Sequence, residues 1–279
     1  MKVGRIPAGD NRRQQDAVTE LFRSSVPTWE DIYSRRDVYS VIYQRRRMVA
    51  LSLIIKLHLP PRSRILEVGC GPGLTTVALA EKGYHVHAMD IVPEMLEVCR
   101  SRADHLRVTE NIEFSVGDVG RLAFRDCAFD AVLVVGVTEW MASLRRMLQE
   151  LNRVIKPAGY LIISSDNSRA LHFRLNPICS PRLAPVKKMV RRLFRPQQHG
   201  PKIYAYSRPE FESQLCELGF ANLETRQVGF GPFAFCGLRV PRTLGLRLDR
   251  ALQSLADRGV NLLQTAGHVY VVLAQRARA

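Results

Sequence analysis

Apolar residues change their spacing along this chain, and the changes of period mark out its elements. Residues 4–23 are mostly polar and basic. From 38 to 59 the apolar positions Val41, Ile42, Met48, Val49, Leu51, Leu53, Ile54, Ile55 and Leu57 suit a helix, stopped by Pro60 and Pro61, which have no N–H to continue its ladder. Short strand-like runs then alternate with helical ones. Residues 64–68 are predicted as a strand ending in glycines, 74–82 as a helix closed by Gly83, 84–89 as a second strand, and 93–103 as a helix opened by Pro93. Residues 112–116 alternate as a strand, 129–135 read as a buried strand, 141–154 as a helix ending before Pro157, and 159–164 as a fifth strand. Farther on, 208–219 suits a helix and 222–228 and 268–274 suit strands. The insertion between those strands, 229–267, holds a helix around 246–256.

Strands and helices alternating at this spacing imply right-handed crossovers and a sheet covered on both faces. The expected fold is a doubly wound, Rossmann-like α/β domain with a seven-stranded, mostly parallel sheet. Its organisation is expected as an N-terminal helical extension over the ligand site (1–60), a binding core (61–166), a basic insertion (167–209) and a C-terminal part of the sheet (210–279) carrying the insertion 229–267.

Composition adds exclusions. In 279 residues, 46% are hydrophobic and 24% charged, an ordinary globular balance. No apolar run approaches the roughly 20 residues that span a bilayer. Residues 1–10 lack the apolar stretch of an export signal, so a cytoplasmic location is expected. The six cysteines are scattered without a C-x-x-C pair, and no metal site is expected. The net charge of +15 is unevenly placed: 167–209 contains ten Lys and Arg and no acid. Within it, a helix over 183–195 would put Leu183, Val186, Met189, Val190, Leu193 and Phe194 on one face. Lys187, Lys188, Arg191, Arg192 and Arg195 would lie on the other. Such a basic amphipathic helix fits either an anionic membrane surface or a lid with a solvated charged face; nucleic acid stands behind both.

The loop after the first predicted strand carries the most chemistry. Gly69, Gly71 and Gly73 permit a tight turn and close approach of a ligand. A dinucleotide loop would read G-x-G-x-x-G, whereas this is G-x-G-x-G with Glu67 ahead of it, an acid that suits an ammonium group better than a pyrophosphate. Together with Leu66-Glu-Val-Gly-Cys-Gly-Pro-Gly73 stand Ala88-Met-Asp-Ile-Val-Pro-Glu-Met-Leu96, Gly117-Asp118, Phe129-Asp-Ala-Val-Leu-Val-Val-Gly136 and Leu151-Asn-Arg-Val-Ile-Lys-Pro-Ala-Gly159. In this order they resemble the class I S-adenosylmethionine (SAM)-dependent methyltransferases, in the branch of ubiquinone, menaquinone and small-molecule methyltransferases. The last motif departs from that family's Pro-Gly-Gly by Ala158.

The resemblance implies roles for individual residues. Glu67, Gly69 and Gly71 would surround the methionine part of SAM, with Cys70 and Gly73 also in the cofactor site. Asp90 would accept both ribose hydroxyls, with Ile91 on the adenine face. Asp118 and Val119 would meet the adenine edge, and Gly136 and Val137 would leave room for the sulfonium and its methyl group.

For the acceptor, Glu139, Asp166 and His172 are candidate bases, placed where strands four and five end or in the basic segment, with His199 behind them. Glu139 has the alternative reading of a cap for the helix from 141, and Trp140 reads equally as a substrate wall or as core. The fourth strand is followed by Gly-Val-Thr-Glu-Trp, not by the motifs of base-amine or cytosine methylation. The expected acceptor is therefore a hydroxyl, or less readily a carbon, of a small amphiphilic, lipid-linked or sugar-like molecule. Its apolar pocket is expected from the basic insertion together with the uncharged stretch 228–238. A SAM-binding protein without catalysis, or a basic module binding nucleic acid, is the alternative.

Overall fold

The computed structural model describes residues 8–175, 200–235 and 238–278. Three helices come first: α1 (Ala8–Ser24), α2 (Val26–Asp31) and α3 (Val38–Lys56). The helix α1 lies in the polar stretch, where Val18 is the one apolar residue described as buried, too faint a period to read. Helix α3 starts where the Asp37 side chain accepts the Ser40 N–H at 3.0 Å, satisfying a donor that the first turn leaves free.

Strands and helices then alternate: β1 (Arg64–Val68), α4 (Leu74–Ala80), β2 (His85–Asp90), α5 (Pro93–His105), β3 (Ile112–Val116), β4 (Phe129–Val134), α6 (Leu144–Val154), β5 (Ile155–Asp166) and α7 (Leu171–Leu175). After residue 200 follow α8 (Arg208–Glu217), β6 (Phe220–Val228), the short antiparallel pair β7 (Ala234–Phe235) and β8 (Leu238–Arg239), α9 (Arg242–Asp257) and β9 (Val269–Arg276). Among the described residues seven strands form one sheet in the order β3-β2-β1-β4-β5-β9-β6. Neighbours from β3 to β5 pair in parallel, and β9 runs antiparallel to both β5 and β6. This is the expected seven-stranded, mostly parallel α/β sheet; the β7–β8 pair stands apart from it.

Both faces of the sheet are covered, as β9 shows residue by residue. Val269, Val271 and Leu273 face the core shared with α3, α4 and α5, and Tyr270, Val272 and Ala274 face the core shared with α6 and α8. That period of two is what a central strand buried on both sides requires.

Two local details differ from the sequence reading. Residues 138–140 form a 3-10 turn, and α6 begins at Leu144, where Ser143 accepts the Arg146 N–H at 3.3 Å, so Glu139 caps nothing. Strand β5 starts at Ile155 and absorbs the expected turn. Ala158, where the resemblance expects glycine, adopts a left-handed φ of 60°, at a cost of about 1–2 kcal/mol. The basic helix expected over 183–195, with His199, Cys179 and Cys236, lies outside the described residues. No described helix is long and apolar enough to cross a membrane, and no described cluster of His, Cys, Asp or Glu could hold a metal ion.

Candidate active site

The strand order reverses between β1 and β4, and in open α/β sheets that switch leaves a crevice at the carboxyl ends of the strands. A cleft opens there. The loop from β1 to α4 forms one wall. Its three glycines have φ values of 69°, 51° and 80°, in the left-handed region that disfavours any side chain. The N–H groups of Gly69 and Cys70 both donate to the Met89 carbonyl, at 2.7 and 3.1 Å, which ties the loop to the end of β2. Gly71 lines the cleft, and a Cβ there would meet no described atom within 4 Å. Gly73 is needed for packing instead, since a Cβ would lie 2.3 Å from the Cys99 Sγ.

Asp90 ends β2 at the cleft. One carboxylate oxygen accepts the Gly71 N–H at 2.9 Å and the other the Val92 N–H at 3.0 Å, and the Ile91 N–H also faces the carboxylate. Burial pushes its carboxyl above the ordinary range. Ile91, Asp118, Val119, Gly136 and Val137 line the same cleft, and Asp118 is oriented by the Gly120 N–H at 2.8 Å.

The opposite wall is built by helices that precede the sheet. Val18, Phe22, Trp29 and Tyr33 line it with Trp140 and Met141. Phe22 packs on Trp29 at 5.3 Å and edge-on to Trp140 at 5.1 Å. Trp140 is thus cleft wall. The buried Gln14 fixes α1 in place: its amide donates to the Trp140 and Lys202 carbonyls at 3.2 and 2.8 Å and accepts the Lys202 N–H at 2.9 Å.

Comparison with known proteins agrees with this geometry. Residues 66–163 match the family described as methyltransferase domain. A demethylmenaquinone methyltransferase of Deinococcus radiodurans is 32% identical over 161 residues, 57% of this chain and 64% of that protein. A ubiquinone biosynthesis O-methyltransferase of Xylella fastidiosa is 33% identical over 167 residues, 59% of this chain and 64% of that protein. Residues 66–163 thus belong to the methyltransferase-domain family. The chain spans 64% of the length of these two relatives. In fold, the magnesium protoporphyrin IX methyltransferase of Synechocystis PCC 6803, crystallised with SAH, matches with a TM-score of 0.65 at 16% identity, over 95% of this chain and 100% of that one.

In this methyltransferase domain two of the sequence-derived loop residues lie off the cleft. Gly73 packs on α5, as above. Glu67 is buried behind the loop, where a carboxylate oxygen accepts the Thr76 hydroxyl at 2.6 Å and burial pushes its carboxyl up to about 7. The stretch expected to form an acceptor pocket is also used otherwise. Val228 and Phe230 are fully buried, and the N–H groups of Gly229 and Phe230 are held by Gln253 and Asp249 at 2.8 and 2.7 Å. Among the described residues none from 167–209 or 228–238 lines the cleft; the N-terminal helices do.

The candidate bases separate into two groups. Glu139 and Asp166 sit together behind the cleft around Arg46, whose Nη1 lies 3.1 Å from a Glu139 carboxylate oxygen. Burial pushes both acids up, with the Asp166 charge raising Glu139 further and the Arg46 charge opposing the rise. His172 is elsewhere: its Nδ1 lies 3.5 Å from that of His268, with the rings stacked. Burial pushes these histidines down, to about 3 and about 4, so both are neutral near pH 7.

Arg46 itself was not singled out from the sequence. It is 4% exposed and lines the cleft. The signal was available: Val38, Ile42, Arg46 and Ala50, all buried, recur every four residues, which puts a cation in the apolar stripe of α3.

Proposed function

We propose that this protein is a SAM-dependent methyltransferase that methylates a hydroxyl, or less readily a carbon, of a small amphiphilic, lipid-linked or sugar-like acceptor. The observation that carries this reading is the convergence of the Gly69–Gly73 loop, Asp90 and Asp118 on one cleft at the switch point of the sheet, in a segment of methyltransferase-domain sequence. The fit of SAM rests on complementary groups. Gly71 leaves space for close approach, the Asp90 carboxylate lines the cleft as an acceptor for ribose hydroxyls, Ile91 and Val119 offer apolar surface to adenine, and Asp118 offers an acceptor to its amine. Gly69, Cys70, Gly136 and Val137 would border the methionine end, with Glu67 and Gly73 supporting the loop from behind. When bound, SAM supplies an electrophilic methyl group that leaves its sulfur without the bonding pair.

The chain's own part is to position the acceptor and accept its proton. The aromatic wall of Phe22, Trp29, Tyr33 and Trp140 favours an acceptor with a flat or apolar body. Two raised carboxyls facing one guanidinium share protons near neutral pH, and the Glu139–Asp166 pair, which lies behind the cleft, would take up the acceptor's proton through water. His172 is withdrawn from that role by its partner His268. A cytoplasmic site of action, with a peripheral contact to anionic membrane through 183–195, completes the reading.

Incubation of the purified protein with methyl-labelled SAM and fractionated cell extract tests it. The expected result is label in one small-molecule or lipid fraction; label in RNA or in no fraction overturns the reading.

A further inference from the structure

Arg46 presents an unusual electrostatic situation. Its guanidinium cannot lose its charge, yet it is buried where it lines the cleft. It stacks over the Tyr43 ring at 4.7 Å from the centroid and packs against Gly136, where a Cβ would lie 2.4 Å from its Nη2. Nη1 meets Glu139 at 3.1 Å. Its Nε–H has no partner among the described residues, although it is fully buried. Leaving such a buried donor unpaired is costly, so a ligand acceptor atom is the natural complement. The groups that face this cation are Glu139, Asp166, Tyr33, Tyr43 and His268. Of these only the two acids could neutralise it, and burial works against their ionisation.

We infer that Arg46 is the acceptor-binding cation of the cleft, and that it takes an anionic oxygen, a phenolate, enolate or carboxylate, carried on an aromatic or conjugated body. This rests on the methyltransferase reading and narrows its acceptor class. The aromatic wall beside Arg46 would hold the flat body, and the guanidinium would hold the oxygen next to Gly136. A neutral sugar hydroxyl could accept the free Nε–H but would gain nothing from the charge behind it.

The test uses the full chain saturated with S-adenosylhomocysteine and two probes of similar shape, 4-nitrophenol, followed by the colour of its phenolate, and nitrobenzene. In the parent, the phenolate should bind about tenfold or more tighter than nitrobenzene, and the bound phenol should ionise at lower pH than in water. Arg46→Met should lose that preference while keeping its affinity for S-adenosylhomocysteine, and Arg46→Lys should retain part of it. If Arg46→Met does not fold, Gly136→Ala, which displaces the guanidinium, should lose the preference instead. Equal binding of the two probes by the parent, no phenolate binding, or an undiminished preference in Arg46→Met or in Gly136→Ala overturns the inference. Failure of the parent to bind S-adenosylhomocysteine would instead strike the methyltransferase reading.

Discussion

Gly73 and Cys99 touch through a missing side chain: a Cβ on Gly73 would stand 2.3 Å from the Cys99 Sγ and 3.0 Å from its Cα. Two residues earlier, Gly71 has the same left-handed backbone but faces open space. The loop thus uses one glycine for packing and one for the ligand.

Substitutions at the two positions should therefore fail in different ways. Gly73→Ala should destabilise the domain by about 3 kcal/mol or more, because backbone as well as sulfur would have to move. Gly71→Val should cost about 1–2 kcal/mol for its left-handed backbone and remain folded, yet lose most SAM affinity. Thermal unfolding paired with ligand titration separates them. A Gly71→Val protein with near-parental affinity would show that the backbone at 71 does not approach the ligand.

Gln14 gives a second prediction. Its amide joins α1 to the 140 turn and to residue 202, and replacing it with Ala leaves three backbone groups without that partner. Hydrogen exchange across α1 should accelerate, with a loss of about 1–3 kcal/mol in local stability and a several-fold weaker SAM affinity. Unchanged exchange in α1 would mean that the helix is held by its aromatic contacts alone.

Glu67 makes stability depend on pH with a definite sign. Burial raises its carboxyl from an ordinary 4.5 to about 7, so the folded state binds this proton more tightly than the unfolded one. Its contribution is fully present below about pH 4.5 and is lost as pH rises through 7. Gln at this position keeps an oxygen for Thr76 and has no proton to lose. Relative to the parent without SAM, Glu67→Gln should gain up to about 3 kcal/mol between pH 5 and pH 8 by chemical denaturation. A difference that does not change with pH would contradict the assignment.

How far the sequence was legible follows from where each signal is local. The sheet from β1 to β5 could be read because each strand carries an apolar run beside a glycine or proline boundary, and Asp90 and Asp118 could be placed because one ends such a strand and the other lies two residues past one. Glu67 was read as facing the ligand because it precedes the loop. Its side chain alternates to the opposite side from Leu66 and Val68, toward Thr76 on α4, a contact between elements that no local pattern reveals. The same holds for the Arg46–Glu139 pair, 93 residues apart, and for the N-terminal wall, whose aromatic residues are widely spaced in a polar background. Uncharged Val228 and Phe230 looked like pocket lining because an exposed apolar residue and a buried one have the same composition.

The central claim is that the cleft at β1, β2 and β4 binds SAM through Asp90. Calorimetric titration of SAM into the parent and into Asp90→Ala addresses it most directly. The account predicts saturable binding by the parent and a roughly ten- to hundredfold weaker affinity in the variant, from the loss of a charged acceptor worth about 1.5–3 kcal/mol. Equal affinities, or no binding by the parent, would contradict it.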